Sequence, residues 1–460
     1  MKTLSHYTQT TNNKLMLIYL NFILSLFFLL ISASIAVAEP QLVKDINPNG
    51  SSAMYSLRAG SERLFFFAQT DNNSNTQQLW TSDGTEAGTM QVSDIDSDEY
   101  TIWYSNKNNL AVNHLYFFTL RRQSDNGYEL WRSNGTVPGT FKVIDIPGYL
   151  DARYQSVGAG GLYYFVPWSD PEYGRELWVS DGSALDTRLV KDISPGSTSS
   201  SPHNLMSVDD RLFFLVGDNL WVSNGSSVGT QQVTHFEELF YGGILHTINV
   251  NDVIYIVYRN NVSELQLWRY DSMSGQNVKV KDFDGISSDA PEFAAVGENL
   301  YFIAKGVGAE AYDLWKTDGT PQGTVVVKHI GETIVGSYDW NLTNVNGTLF
   351  FRANDGTHGW ELWKSDGTAS GTFMIKDIKE GADSSELYCF VAVGDTLFFA
   401  HKQSTYVTNL WMSDGTEAGT IDTDTGVSHL RCPVNLREQL YFYGSDRLAD
   451  DFGNELYRYN

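Results

Sequence analysis

A short phrase of leucine, tryptophan and a glycine turn returns along the chain and constrains the fold more than any other sequence feature. LWTSDG begins at Leu79, and later copies include LWMSDG at Leu410 and a final LYRYN at Leu456. The nine copies are separated by 51, 47, 43, 47, 47, 48, 48 and 46 residues. A period this constant indicates a repeat architecture in which each copy forms one structural unit.

Each copy contains four strand-like segments joined by turns. In the seventh copy the segments are Asn341–Val345, Leu349–Ala353, Trp360–Ser365 and Thr372–Ile378. Asn346-Gly347 and Asp366-Gly367 lie between them, and Asn-Gly or Asp-Gly between apolar alternating runs is a strong hairpin signal. We therefore predict that each copy is a four-stranded antiparallel sheet that packs against a neighbouring sheet on each side.

Stacked sheets of this size predict an all-β fold, a closed β-propeller of four-stranded antiparallel blades. The repeat count gives nine blades, and eight is the alternative. The sequence after residue 40 begins with an isolated fourth strand, Gln41–Ile46, and it ends with a third strand, Glu455–Tyr459. We therefore predict that strand 41–46 joins the C-terminal blade, which removes two unpaired edges and closes the ring.

The N-terminus has the features of an export signal. Leu15 to Ala38 is free of charged residues, and Ala36-Val37-Ala38 matches a signal-peptidase site. We predict that residues 1–38 are a signal peptide and that residues 39–460 form a single propeller domain. The alternative is an uncleaved membrane anchor, because the apolar run is long enough to span a bilayer. Either way we expect an exported protein that is secreted, periplasmic or at the cell surface.

The charge of the chain argues against one class of partner. The formal net charge is −24, and without the two lysines of residues 1–38 the remainder carries 29 basic and 55 acidic residues, a net of −26. Such a surface repels a phosphate backbone, so we predict no binding to nucleic acid. We expect a monomer, with membrane contact only if the N-terminal segment is uncleaved.

The repeat resembles a known family. ELWKSDGTASGTFMIKDI, from Glu361 to Ile378, is similar to the ELW-x-x-DGT repeat of bacterial exported and cell-surface proteins, also described as hyalin-like. Gly84–Thr89, Gly319–Thr324 and Gly415–Thr420 carry the matching G-T-x-x-G-T segment. The resemblance implies a secreted repeat protein, and it implies neither an established activity nor catalytic residues.

One aromatic position is shared by all nine copies. Its residues are Trp80, Trp131, Trp178, Trp221, Trp268, Trp315, Trp363, Trp411 and Tyr457. Indole faces stack on sugar rings, but we interpret these rings as packing between blades, where the N–H finds an acceptor. Cys389 and Cys432 each lie eight residues before an aromatic strand, on the first strands of adjacent blades. We predict either a disulfide between them or two free buried thiols.

Acidic runs and unrepeated aromatic residues are the remaining candidates for a site. Calcium binds clustered carboxylates, so it is a possible cofactor at Asp94, Asp96, Asp98, Asp422 and Asp424. We predict no other cofactor. Candidate ligand-binding loops carry Tyr100, Trp103, Trp168, Tyr173, Tyr241 and Trp340, and packing is the simpler explanation for each.

No catalytic motif is evident in the sequence, which leaves three functional hypotheses. The first is an extracellular or periplasmic binding or adhesion scaffold for an unknown protein or glycan partner. The second is a glycan-acting hydrolase or lyase with carboxylates at a channel mouth. The third is a calcium-stabilised structural surface module. The sequence favours the scaffold and gives only a weak positive case for an enzyme, although propeller enzymes do assemble sites from single residues on several blades.

Overall fold

A computed structural model shows nine antiparallel blades in a ring, so the prediction of a nine-bladed β-propeller is confirmed. Six blades have four strands, and blades 2, 6 and 9 have five because their first strand is divided into two short strands. It describes residues 40–459 except 72–76, 103–107, 151–155, 234–242, 260–263, 273, 287–292, 310, 331–339, 405–406, 425–426, 429 and 447–453. By its contacts the chain divides into residues 1–39, which lie outside the described residues, and a unit from Pro40 to Asn460. The predicted signal peptide and its boundary therefore remain predictions.

The first strand of the chain, β1 (Gln41–Lys44), belongs to the last blade. Blade 1 contains β2 (Tyr55–Ala59), β3 (Leu64–Gln69), β4 (Gln77–Ser82) and β5 (Met90–Gln91). Blade 2 contains β6 (Tyr100–Ile102), β7 (Leu110–Val112), β8 (Leu115–Arg122), β9 (Tyr128–Ser133) and β10 (Phe141–Ile146). Blade 3 contains β11 (Val157–Ala159), β12 (Leu162–Phe165), β13 (Leu177–Ser180) and β14 (Arg188–Lys191). Blade 4 contains β15 (His203–Val208), β16 (Arg211–Val216), β17 (Asn219–Ser223) and β18 (Gln231–Gln232).

Blade 5 contains β19 (Gly243–Val250), β20 (Val253–Arg259), β21 (Leu265–Asp271) and β22 (Asn277–Phe283). Blade 6 contains β23 (Gly285–Ile286), β24 (Phe293–Val296), β25 (Asn299–Lys305), β26 (Asp313–Thr317) and β27 (Val325–His329). Blade 7 contains β28 (Thr343–Val345), β29 (Thr348–Asn354), β30 (Trp360–Ser365) and β31 (Phe373–Lys376). Blade 8 contains β32 (Glu386–Val393), β33 (Thr396–Ser404), β34 (Val407–Ser413) and β35 (Ile421–Asp422). Blade 9 contains β36 (Val427–Ser428), β37 (Val434–Leu436), β38 (Gln439–Asp446) and β39 (Asn454–Tyr459), with β1 as its outer strand.

The repeated D-G-T-x-x-G-T segment is a self-contained turn. In blade 7, Asp366 Oδ1 accepts hydrogen bonds from the Thr368 backbone N–H at 2.8 Å and from its hydroxyl at 2.7 Å. Thr372 Oγ1 donates to the Thr368 carbonyl at 2.6 Å. Gly367 has a φ of +86°, and a Cβ at Gly371 would lie 2.1 Å from the Asp366 carboxylate. Turn geometry therefore accounts for the Asp, Gly and Thr positions of the segment.

The apolar cores lie between blades. One cluster combines Val43 and Leu456 of blade 9 with Leu64, Phe66 and Trp80 of blade 1. Similar clusters join blades 5 and 6 and blades 6 and 7. Since each sheet buries its faces against its neighbours, the blades stabilise one another and the ring forms as a unit.

The predicted closing strand is present in blade 9. β1 pairs antiparallel with β39, with Gln41 opposite Arg458 and Lys44 opposite Leu456. The Lys44 ammonium also donates to the Thr89 carbonyl of blade 1 at 2.9 Å. Residues from both ends of the repeat domain thus form one sheet, and that sheet packs on blade 1.

None of the described residues forms a helix with the length and apolar character needed to cross a membrane.

Removal of the closing strand should destabilise the whole domain. A chain starting at residue 47 loses the buried side chains of Val43 and Ile46 and leaves the outer edge of β39 unpaired, while its other edge still pairs with β38. We expect a loss of about 3–6 kcal/mol in unfolding free energy relative to a chain starting at residue 39. Thermal unfolding followed by circular dichroism measures the difference, and equal melting temperatures for the two chains would refute the role assigned to β1.

Candidate functional site

A cavity of about 500 Å³ lies where blades 9 and 1 meet. Its walls come from the first strand of blade 1, from the segment before β37 and from β38 and β39. The lining residues are Ala53, Met54, Tyr55, Ser56, Leu57, Arg58, Arg431, Cys432, Tyr443 and Asn454. A volume of this size suits a ligand of a few amino-acid residues or a comparable small molecule.

One wall of the cavity is a β-bulge. The pairing of β2 with β3 shifts between Tyr55 and Arg58, so β2 has one more residue than its partner strand there. Ala53 and Ser56 have φ values of +42° and +57°, in the left-handed region that residues other than glycine seldom adopt. A bulge interrupts the regular ladder, and it therefore gives this wall backbone groups outside the regular strand pairing.

Positive charge is concentrated at the cavity. Arg58 and Arg431 both line it, and its ten described lining residues include neither aspartate nor glutamate. Burial raises the pKa of the Tyr443 phenol, and the charges of Arg431 and Arg58 oppose that increase. Both guanidinium groups therefore act on the same phenol, although the chain as a whole carries a net charge of −24.

The lining residues provide binding groups rather than a hydrolytic centre. Tyr443, Asn454 and the two arginines supply hydrogen-bond donors, while Met54 and Leu57 are buried in the core between the two blades. Ser56 is a hydroxyl nucleophile in principle, but the ten described lining residues include neither a histidine nor a carboxylate to activate it. Their arrangement can hold and orient a ligand.

A disulfide fixes the wall that carries Arg431. Cys389 and Cys432 are bonded, with Cα atoms 5.1 Å apart, and they join blade 8 to blade 9. Cys389 lies on β32, whereas Cys432 precedes β37 and is outside a strand, which differs from the predicted placement. Disulfides persist in oxidising compartments, the environment that the predicted export would provide.

The repeated aromatic residues lie at the interfaces between blades. Trp80, Trp315 and Trp363 are buried within the clusters that join neighbouring blades. The ammonium of Lys44 lies 6.0 Å from the centre of the Trp80 ring, across the junction of blades 9 and 1. Tyr457, in the ninth copy, stacks on Phe442 within its own blade at 5.9 Å.

The hydrogen bonds of these indoles vary between copies. Trp131 donates to Glu129 at 2.9 Å, Trp268 to Gln266 at 3.0 Å, and Trp315 to the Ala304 carbonyl at 3.1 Å. In the described part of the chain the indole nitrogens of five other copies have no acceptor: Trp80, Trp178, Trp221, Trp363 and Trp411. The expectation that each indole finds an acceptor is therefore too general.

Four of the six unrepeated aromatic candidates lie in the described part of the chain, and none of these four lines the cavity. Tyr100 packs edge-on to Trp131 in blade 2, and Trp340 packs edge-on to Trp360 between blades 6 and 7. In blade 3 the guanidinium of Arg175 lies 3.4 Å from the centre of the Trp168 ring. Tyr173 is half-buried in the turn after Asp170, and Trp103 and Tyr241 fall outside the described residues.

The aspartates considered for calcium take part in local turns. Asp96 Oδ1 accepts the Asp98 backbone N–H at 2.8 Å, and Asp422 Oδ1 accepts the Asp424 N–H at 2.9 Å. Asp94 is exposed. Within the described ranges, no three histidine, cysteine, aspartate or glutamate side chains converge to hold a metal ion. Calcium binding at these positions stays a prediction from the sequence.

The glutamate of the repeated E-L-W phrase connects one blade to the next. Glu361 of blade 7 accepts hydrogen bonds from the Ile378 N–H at 2.9 Å and from the Ser385 hydroxyl at 2.8 Å, just before blade 8. Glu455 of blade 9 accepts from Ile46 at 3.1 Å and from Ser52 at 3.3 Å. Burial raises the pKa of both carboxyl groups to about 7.

The residues that line the cavity carry no signal in the repeat. Arg431 lies nine residues before Leu440, and the matching place in the other copies holds Tyr55, Asn106, Arg153, His203, Leu245, Pro291, Trp340 and Tyr388. Because the residue type at this place varies from copy to copy, comparison of the copies does not single out Arg431. The opposing wall, from the other end of the chain, is not marked by the repeat either.

The chain matches no family model, and the search of curated proteins returned no match. The ELW-x-x-DGT resemblance therefore stays a prediction.

Several solved structures are similar to this chain. They include a puromycin hydrolase, 13% identical with a TM-score of 0.35, covering 77% of this chain and 59% of that protein. Oligopeptidase B from Leishmania major is 8% identical with a TM-score of 0.44, covering 87% of this chain and 54% of that one. The β-propeller domain of the Trilobed protease from Pyrococcus furiosus is 10% identical with a TM-score of 0.34, and the match covers 80% of this chain and 97% of that one. The chain thus spans less than two thirds of the puromycin hydrolase and of oligopeptidase B.

These findings correct the functional prediction. The similar solved proteins include hydrolases and peptidases. They contradict the prediction of a binding or adhesion scaffold for a protein or glycan, and that prediction is wrong. The two alternatives, a glycan-acting hydrolase or lyase and a calcium-stabilised surface module, are withdrawn with it. The Trilobed protease propeller is described as having an open velcro topology, whereas here β1 pairs with β39.

Loss of the disulfide should destabilise the junction between blades 8 and 9. Replacement of Cys389 and Cys432 by serine removes a link across 43 residues of sequence. We expect the unfolding free energy to fall by about 3–4 kcal/mol, because the unfolded chain gains conformational freedom without the link. Chemical denaturation of the double variant and of the reduced wild-type protein should agree, and unchanged stability in both would contradict this role.

The buried glutamates should make stability depend on pH. The pKa of Glu361 in the folded protein, about 7, exceeds its ordinary value of 4.5. The protonated carboxyl group therefore stabilises the fold fully below pH 4.5, and this stabilisation is lost as the pH rises through 7. In Glu361→Gln the neutral amide removes this proton linkage. Between pH 5 and pH 8 we expect the unfolding free energy of the variant to fall by about 1–2 kcal/mol less than that of the wild-type protein. Denaturant titrations across that range measure it. Parallel pH profiles for the two proteins would contradict this assignment.

Proposed function

We propose that this propeller receives short peptides in the cavity between blades 9 and 1. The observation that carries the proposal is the pairing of a bulged strand wall with a wall of donor groups around 500 Å³ of space. An extended peptide offers backbone donors and acceptors at regular intervals together with side chains of mixed polarity. Those features match the chemistry of the two walls.

The bulged wall supports an extended ligand in particular. Between Tyr55 and Arg58 the ladder to β3 is out of step, and backbone groups there that do not pair with β3 can bind a peptide that lies alongside the strand. The Leu57 carbonyl is not one of these groups, because it accepts a hydrogen bond from the guanidinium of Arg58 at 3.0 Å.

The role proposed is binding without cleavage by the cavity itself. The described lining residues lack a general base, so a peptide held there keeps its amide bonds unless another group acts on it. The solved proteins similar to this chain include peptidases, but the ligand class proposed here follows from the cavity.

A retention experiment tests the proposal. Purified protein is equilibrated with a pool of peptides of three to eight residues, and retained peptides are identified by mass spectrometry. We expect micromolar binding and recovery of intact peptides. Asn454→Trp should weaken binding at least tenfold, since it places a large ring in the cavity while Asn454 meets Ser51 and Ser52 through its backbone.

The matched control places the same side chain on a distant surface. Leu185→Trp alters an exposed turn of blade 3 and should bind peptides as wild type does. Absence of retained peptides, or equal retention by Asn454→Trp and wild type, would refute the proposal.

A further inference from the structure

The cavity has a chemical preference that follows from its charge. Arg58 and Arg431 project from opposite sides of the junction, one from β2 of blade 1 and the other from the segment before β37 of blade 9. The eight other described residues of the lining include no acidic group. An anion entering this space meets two fixed positive charges in a chain whose surface otherwise repels it.

Arg431 is suited to contact a ligand. The residue is exposed and lines the cavity, so a ligand can reach its guanidinium. Its backbone N–H donates to the Tyr443 carbonyl at 3.1 Å, which positions it beside the phenol-bearing strand. Guanidinium groups bind carboxylates through two parallel hydrogen bonds, and such charge-assisted bonds are stronger than neutral ones.

The position of Arg431 is set by covalent chemistry. The next residue, Cys432, is bonded to Cys389 of the neighbouring blade. Cys389 itself lies at a bulge with a φ of +56°, matching Ser56 on the opposite wall. A guanidinium on a tethered backbone loses less freedom when it binds, so the tether favours affinity for a ligand of fixed geometry.

Hydrogen-bond chemistry restricts the anion further. Arg58, Arg431 and the Asn454 amide supply donors from several directions, and the Tyr443 phenol adds a fourth. A carboxylate accepts hydrogen bonds at both oxygens and satisfies such a set, whereas an amide or an ammonium group brings competing donors.

We infer that the cavity recognises a carboxylate on its peptide ligand, with Arg431 and Arg58 as the residues that determine specificity. This inference rests on the proposed function, because it names the group by which the peptide is selected. The carboxylate is either the C-terminal group of the peptide or the side chain of an aspartate or glutamate, and the chemistry is the same for both.

Matched peptides separate the two sources. The first pair is an acetylated trialanine with a free C-terminal acid and the same peptide as its amide. The second pair is amidated Ala-Asp-Ala and Ala-Asn-Ala, both acetylated. Isothermal titration should show at least tenfold tighter binding, about 1.4 kcal/mol, for the acid member of one pair or of both. The discriminating pair identifies the source of the carboxylate.

Variants locate the preference at Arg431. In Arg431→Gln the acid and neutral members should bind within twofold of each other, and Arg431→Lys should restore part of the preference because the charge is kept. Arg437→Gln is the matched control, since Arg437 is an exposed arginine of the same blade that pairs with Glu62 at 3.2 Å and does not line the cavity. It should keep the full wild-type preference.

The outcomes distinguish this inference from the proposed function. Equal binding of acid and neutral peptides to the wild-type protein would overturn the carboxylate inference and leave peptide binding standing. Binding of succinate that Arg431→Gln abolishes, without binding of any peptide, would support the carboxylate site and overturn the peptide function. No binding of either peptides or succinate would overturn both.

Discussion

The pairing of β1 with β39 is the interaction on which the rest of the structure depends. Blades stabilise each other through their faces, so a ring with one open junction would expose apolar residues on two blades at once. β1 completes blade 9 and brings Val43 and Ile46 into the cluster that contains Trp80 of blade 1. The same junction creates the candidate site, because the cavity has walls from both of these blades.

The residues that repeat form the turns and the interfaces between blades, whereas the features that differ between copies form the candidate site. The Asp-Gly-Thr turns, the interfacial tryptophans and the E-L-W glutamates are accounted for by hydrogen bonds and packing within or between blades. A bulge recurs on the first strands of blades 1, 4 and 8, with Ser56, Asn204 and Cys389 in the left-handed region. That one backbone feature forms a cavity wall in blade 1 and positions a disulfide in blade 8.

Much of the fold was predictable and most of the site was not. In blade 7 the predicted segment Trp360–Ser365 matches β30, and the closing strand differs from prediction only in ending at Lys44 instead of Ile46. These features follow from local periodicity and turn residues, which a single sequence displays directly. Tyr100 and Trp340, for which packing was the simpler of two interpretations, pack against Trp131 and Trp360. The sequence alone left both interpretations open, because it does not distinguish an unrepeated ring in a loop from one between blades.

The sequence by itself determined the number of blades, the four-stranded unit and the strand that closes the ring, because each depends on local patterns repeated nine times. Only the tertiary structure decided where a ligand could bind. Residues 53–58 and 431–454 come from opposite ends of the repeat domain, and no periodicity relates Arg58 to Arg431. They become neighbours because β1 returns to β39, and this closure places the two charges around one cavity.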